Sequence, residues 1–491
     1  MIGFLLGLLL PCSAAWLLTG RCVPGGARDR AALGLRASLA VGLGTGLSAA
    51  TYFLWTLVVG SPGVVYRWVE LLGWTTLIVV GWIFRPRLRE TGEPQPSDQS
   101  PQRWLASALG VVVVVAMTTT ICESIVEPYG DWNAWSVWNA RAKFLFLGDD
   151  DWRRAFSPAL QHPDYPLLLS ATVARAWTFL KTDAAWVSWL MGNLFMWSAI
   201  ALASFGVARA KGRTQGILAA LVLAGNMAFV HSGGVQQYAD VPLAYFMLAT
   251  LVPLTLHDFE TNPRKGLIFL AGLCAGLAAW TKNEGALFLV ALFAARGLAG
   301  VLERRWRREA RELLWLFAGV LPMLTILVVQ KTLLASANKM VSEQDFATTL
   351  RRIADGSRHL EILQAFDVTA WEVAHGFLIV LPVVALLLGR SRLGPLRRTG
   401  YRTAWLVLAF MLAGYYCIYL VTPYDLTWHL QTSLNRLLVQ LWPSGVFIFF
   451  LAIASPEEVL TRSDKSHEVT VHPSRSGALS ASTSTRMPAS V

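Results

Sequence analysis

Apolar runs long enough to cross a bilayer recur along this chain from Ile2 to near Ser455, and no other feature narrows its fold as much. A crossing needs about 20 consecutive apolar residues in a helix. Inside lipid the backbone must satisfy its own hydrogen bonds, which leaves helices or a closed barrel. The 491 residues are 54% hydrophobic and only 15% charged, with a mean hydropathy of +0.47. A soluble globule could not cover itself with so little polar surface. The expected fold class is an all-α polytopic integral membrane protein with about thirteen transmembrane helices. The expected crossings are 2–19, 38–60, 68–84, 104–126, 184–207, 215–232, 240–256, 266–280, 285–300, 313–334, 370–389, 403–421 and 437–453. The first run lacks a basic start and is followed by arginines, so it reads as a retained helix rather than a signal peptide.

Basic residues set the expected orientation. Alternate connections carry Arg21, Arg28, Arg30 and Arg36; Arg85, Arg87, Arg89 and Arg103; Arg209, Lys211 and Arg213; Arg264 and Lys265; Arg304, Arg305, Arg307, Arg308 and Arg311; and Arg390, Arg392, Arg397, Arg398 and Arg402. The positive-inside rule makes these cytoplasmic, with the N-terminus outside and the C-terminus inside. The exception is the long 336–369 connection, with Arg351, Arg352 and Arg358 on the outer side. A net charge of +11 is explained by these loops, so no nucleic-acid partner is implied. The 21 tryptophans suit interfacial belts. Five scattered cysteines without a CxxC point to neither a disulfide framework nor a metal site. No internal repeat is evident. Three regions are expected: N-terminal helices 1–103, a membrane core 104–455 with an outer loop at 127–183 carrying interfacial helices, and a disordered cytoplasmic tail 456–491.

The outer loop holds the most unusual polar sequence. Trp132, Trp135 and Trp138 follow one another at three-residue spacing, so a helix there would set indoles along one side at the interface. Glu127 and Asp131 stand four apart, close enough on a helix for one carboxylate to perturb the other. On the same face the topology gathers His162-Pro163-Asp164-Tyr165-Pro166, Gln236 to Asp240, Trp280 to Gly285, and Thr422 to His429. Four polar clusters far apart in sequence therefore point to one composite site.

Several residues have chemistry to offer there, each with a plainer alternative. Asp131 is a candidate general base, or an N-cap of a helix over 133–146. Lys282 is a candidate phosphate ligand oriented by Glu284, or both mark a tight turn ending at Gly285. Arg436 offers a forked donor to a phosphate, or it snorkels from a helix end. His162 and His429 are too isolated to read as metal ligands. Asp149, Asp150 and Asp151 offer a place for a divalent cation, the one cofactor left open, or a solvated turn.

Taken as ordered blocks, Tyr129 to Lys143, His162 to Leu169, Tyr238 to Pro242, Gly272 to Gly285 and Thr422 to Pro443 resemble the C-type membrane glycosyltransferases. The likeness is to a bacterial family-39-like branch, related to protein O-mannosyltransferases and the aminoarabinose transferase of lipid A. It spans roughly residues 100–450. The resemblance implies a polyprenyl-phosphate-linked sugar donor, with undecaprenyl phosphate the expected carrier. It also implies a lipid, glycan or protein acceptor, a site on the extracytoplasmic face of the cytoplasmic membrane, and a catalytic acidic residue matching Asp131. Gly130-Asp131-Trp132 has one carboxylate where that family has a pair, and Glu127 and Asp164 both stand as the second. Three helices precede the family's usual first. Substrate contacts are expected from Trp135, Lys143, His162, Asp164, Asp240, Lys282, Glu284, Asp425, His429 and Arg436. A polymerase or ligase using lipid-diphosphate glycans, and a transporter or flippase, are the competing classes. A transporter is expected to carry its ionisable residues near mid-membrane rather than at one face.

Overall fold

A computed structural model describes residues 1–26, 28–84, 103–148, 152–259, 264–303, 306–336, 345–391 and 398–460. Arg85, Arg87, Arg89, Arg304, Arg305, Arg392, Arg397, the run Asp149 to Asp151 and the tail beyond Leu460 lie outside the described residues. Among the described residues the fold is mostly helical and no strand forms. In chain order the helices are α1 (Ile2–Cys22), α2 (Arg30–Val58), α3 (Val64–Ile83), α4 (Arg103–Val126), α5 (Ala140–Leu147), α6 (Leu168–Leu180), α7 (Trp186–Lys211), α8 (Arg213–Ala224) and α9 (Met227–Gly234). There follow α10 (Asp240–His257), α11 (Lys265–Ala279), α12 (Asn283–Leu302), α13 (Trp306–Leu333), α14 (Phe346–Ala354), α15 (Gly356–Ala374), α16 (Phe377–Leu388), α17 (Thr399–Val421) and α18 (Leu426–Ala452).

Ten of these helices are long and apolar enough to cross a membrane, and two bent pairs raise the number to 12 if each pair is one span. The expected crossing 215–232 is one such pair: α8 and α9 meet at 69°, with Asn226 capping α9 by accepting from Phe229 N–H at 2.8 Å. The other is α15 and α16, bent by 76° where His375 takes φ 49°. Asn226 Nδ2 donates to the Val373 carbonyl at 2.8 Å, so the two bends are tied together. The expected crossing 266–280 is the 15-residue α11, buried along most of its length.

Helix α10 is buried on every side, with α7, α11 and α18 packed around it. At the periphery, α4 exposes Val111, Val114, Val115 and Ile125, the surface a lipid-facing helix presents. Prolines sit inside α1, α10, α13, α16 and α18, as packed membrane helices tolerate.

The connection from α4 to α7 holds a π-helical turn (Ala134–Asn139), α5, a 3₁₀ turn (Trp152–Phe156) and α6. Helix α6 is buried along almost its whole length. Its Arg175 pairs with Glu70 of α3 at 2.8 Å, and Trp74 Nε1 donates to the same carboxylate at 2.9 Å. This buried pair ties α3 to α6. The 336–369 connection is not an open loop: α14 and most of α15 fill its described part.

Candidate active site

The polar clusters expected to share a face meet at one end of the bundle, where α4, α9, α11, α13 and α17 finish and α10, α12 and α18 begin. Gly130 has φ 69°, a left-handed value that favours glycine. A Cβ there would lie 2.8 Å from the Gln236 carbonyl, so the 129–133 turn sits directly on the turn after α9. Gln237 Nε2 donates to the Pro128 carbonyl at 3.2 Å. This contact delivers Asp131 to Tyr238, whose hydroxyl donates to Asp131 Oδ2. Trp132 N–H donates to the other oxygen at 2.5 Å. The half-buried carboxylate does not cap in the usual way, because Ala134 N–H bonds to the Asp131 backbone carbonyl, at 2.8 Å. Burial and then the bond to Asp131 raise the Tyr238 pKa well above the usual range. The phenol therefore stays protonated and remains a donor.

Behind this pair lies a buried charge cluster. The α11–α12 turn is closed so tightly that a Cβ on Gly285 would stand 1.8 Å from the Ala278 carbonyl. It projects Lys282 inward, 3% exposed, with Nζ 2.9 Å from Asp240 and 2.8 Å from Glu284. Burial alone would lower the Lys282 pKa, but those two carboxylates outweigh it and hold the ammonium above the usual lysine range. Helix α18 contributes His429, Ser433, Arg436 and Gln440, spaced at 4, 3 and 4 residues and so on one helical face. Gln440 Nε2 donates to Asp240 at 2.5 Å. The Arg436 guanidinium lies 5.3 Å from the centre of the Tyr238 ring. Its Nε is buried without a hydrogen-bond partner, and no carboxylate among the described residues comes within 4.0 Å of it.

A third wall is aromatic. His162 stacks on Tyr165 at 4.5 Å, and Tyr165 on Trp138 at 5.6 Å. Lys282 Nζ is 5.9 Å from the centre of the Tyr165 ring. His162 is open on one side, yet the burial of its stacked face, and then Lys282, push its pKa down to about 4, so it is neutral. The turn is held from behind. Arg141 donates to the Gln161 and Tyr165 carbonyls, both at 3.1 Å, and Gln330 to Tyr165 at 3.0 Å. Lys331 donates to the Asp164 carbonyl, and Asn283 Nδ2 to the Asp164 carboxylate at 2.6 Å.

No protein-family model, curated protein or solved structure matches this chain.

The structure thus brings Asp131, His162, Asp164, Asp240, Lys282, Glu284 and Arg436 together, and leaves others apart. Glu127 lies just past the end of α4 at Val126 and is exposed. With Gly130 left-handed, Glu127 and Asp131 share no helix face. Lys143 pairs with Asp183 at 2.9 Å on an exposed surface. Asp425 caps α18, accepting from Trp428 N–H at 2.8 Å. His429 is intermediate: it shares the Arg436 face of α18, but its ring is engaged by Thr422 Oγ1 at 3.0 Å and packs against Tyr419. The tryptophan stripe is also different from expectation. The π turn, with Ala140 N–H bonded to the Trp135 carbonyl, takes the three-residue spacing out of helical register. Trp132 and Trp135 are exposed and packed edge-on at 4.4 Å, while Trp138 turns into the core. Among the described residues, no group of three or more His, Cys, Asp or Glu side chains is placed to hold a metal ion. Sequence reasoning missed Gln440, Tyr238 as the partner of Asp131, and Arg141. The polar stripe His429, Ser433, Arg436, Gln440 was a signal that would have found the first.

Proposed function

We propose that this protein is a membrane glycosyltransferase that moves a sugar from a polyprenyl phosphate to an acceptor on the extracytoplasmic face, with inversion. One observation carries the reading: Arg436 is a largely buried cation with no carboxylate beside it, lying over the tyrosine that holds Asp131. Its nearest carboxylates, Asp240 and Glu284, act on it only from beyond ion-pair distance and are already engaged by Lys282, so its own fork is open to a phosphate. A lipid-linked phosphate suits the setting, since its tail stays among the apolar helices while its head reaches the site.

The acceptor hydroxyl attacks the anomeric carbon and its proton passes to Asp131. The bond from that carbon to the phosphate oxygen breaks on the opposite side, and the lipid phosphate leaves with the electron pair. Arg436 stabilises the departing charge. Lys282 has already given two donors to Asp240 and Glu284, so its part is to fix those carboxylates and add positive potential. A phosphate leaves without a second acid. In this reading α11 and each bent pair count as crossings, giving about thirteen. The basic residues Arg21, Arg209, Lys211, Arg264, Arg390 and Arg402 at the other end face the cytoplasm.

The test is incubation of the purified protein with panels of polyprenyl-phosphate sugars and of polyprenyl-diphosphate-linked glycans, reading released lipid phosphate or diphosphate. Release is expected with at least one sugar and is expected to vanish in Arg436→Met. Turnover only of diphosphate-linked glycans would replace the donor class, and no turnover of either would remove the enzymatic reading. In a Cys-free variant, Ser157→Cys should react with a membrane-impermeant thiol reagent in intact cells; labelling only after lysis would reverse the orientation.

A further inference from the structure

Two carboxylates of the site each keep an oxygen unused. Asp240 gives Oδ1 to Lys282 at 2.9 Å and to Gln440 at 2.5 Å. Gln440 is itself fixed, because its Oε1 accepts the Tyr415 hydroxyl at 2.6 Å. Asp240 is 1% exposed, and its Oδ2 has no hydrogen-bond partner. Glu284 repeats the pattern, with Oε1 on Lys282 at 2.8 Å and Oε2 buried without a partner. A buried carboxylate oxygen that accepts nothing has lost its hydration without replacement. Both flank the same ammonium, and both are among the charges that act on Arg436.

The missing partner must bring donors. A bare phosphate brings acceptors and negative charge, so it fits Arg436 and is repelled here. A metal ion is a poor fit because the Lys282 ammonium already stands between the two carboxylates. Neutral hydroxyl groups remain, and a sugar joined to the phosphate supplies several beside that phosphate. We propose that Asp240 and Glu284 accept hydrogen bonds from hydroxyls of the donor's sugar, so that this pair selects the sugar while Arg436 selects the phosphate. The inference rests on the reading that the site takes a lipid-phosphate sugar. It adds that the sugar is read by charge-assisted bonds, which reject a ligand lacking the matching hydroxyl far more strongly than an apolar pocket does.

The test compares two kinds of ligand on the full-length protein in detergent: farnesyl phosphate, and farnesyl phosphate carrying glucose, mannose or galactose. Wild type is expected to bind at least one sugar-bearing ligand more tightly than farnesyl phosphate. Glu284→Gln is expected to weaken that ligand by about tenfold, the order of one lost charge-assisted bond, and not to weaken farnesyl phosphate, because it removes a negative charge near Arg436. Asp240→Asn is expected to act in the same direction. Because it disturbs a buried ion pair, Glu284→Gln, with its thermal midpoint checked, is the deciding variant. Arg436→Met is expected to weaken both ligands. Equal affinity of wild type for all the ligands, or a Glu284→Gln effect that is absent or equal on both kinds, would overturn the sugar assignment and leave the lipid-phosphate reading standing. Failure of wild type to bind any of them would overturn both.

Discussion

Two arginines at opposite ends of the bundle, Arg296 fully buried and Arg436 partly so, have opposite surroundings. Arg296 of α12 lies 3.0 Å from Glu309 and also pairs with Glu312, which in turn binds Arg308 at 2.8 Å. Nearby, Arg402 meets Glu303 at 3.4 Å and Lys211 meets Glu458 at 3.0 Å. At that end the chain answers these cations with its own carboxylates, and the charges stitch helices together. Arg436 has an aromatic ring beneath it and no such carboxylate. Charge that the chain neutralises by itself holds the fold. Charge left without an ion-pair partner above a tyrosine is placed for something that arrives from outside.

The contrast predicts that substitutions at the site end change chemistry before stability, and at the other end the reverse. The largest effect is expected from Asp131→Asn, which keeps size and hydrogen bonding but removes the proton acceptor. Turnover should fall by roughly two to four orders of magnitude with the thermal midpoint little changed. Retained turnover, together with a dead Glu127→Gln, would move the base to Glu127.

Next come the arginines themselves. Arg296→Met leaves the buried Glu309 unanswered and Glu312 with Arg308 alone, and should destabilise the protein by about 3–5 kcal/mol, with ligand affinity intact in the protein that remains folded. Arg436→Met should weaken farnesyl phosphate binding by about ten- to a hundredfold at nearly unchanged stability. Equal losses of stability in the two variants would erase the contrast.

Gly130→Ala sharpens it on a smaller scale. The left-handed backbone alone costs a non-glycine residue about 1–2 kcal/mol, and the added methyl would press on the Gln236 carbonyl. Activity should drop several-fold through displacement of Asp131, while Asp131 itself is untouched. The smallest effect concerns pH. With a folded pKa of about 4 against about 6.5 unfolded, His162 binds its proton more readily in the unfolded chain. Stability is therefore lost as pH falls from about 6.5 towards about 4. His162→Gln should shrink the difference in thermal midpoint between pH 7 and pH 5 and leave the rate profile above pH 6 unaltered.

How far the sequence disclosed this architecture depended on range. The long apolar runs are local, so α1, α4, α10 and α17 lie within a few residues of their expected bounds. Helix α18 begins at Leu426 rather than 437 because its first turns are polar, facing the site with one side, and their 3.6-residue rhythm is hidden from a search for apolar runs. The bends at Asn226 and His375 are tertiary, since they are joined to each other through Val373. Glu70 and Arg175 went unremarked in the sequence although each is a charge within a largely apolar stretch, the mark of a paired or functional group; which charge answers which is settled only by packing. The same holds for Asp131: its sequence neighbourhood singled it out, while its partner lies 107 positions away.

The turn carrying His162 and Tyr165 is secured largely through main-chain oxygens, with Arg141 on residues 161 and 165, Gln330 on 165 and Lys331 on 164. Every amino acid presents the same carbonyl, so those anchors do not themselves read the side chains at positions 161–163, although the left-handed backbone at His162 (φ 48°) narrows the choice there. The frame and its lining are thereby decoupled. Descendants of this chain can exchange the residues on the rim, and with them the molecules admitted, without rebuilding the support that holds the rim in place.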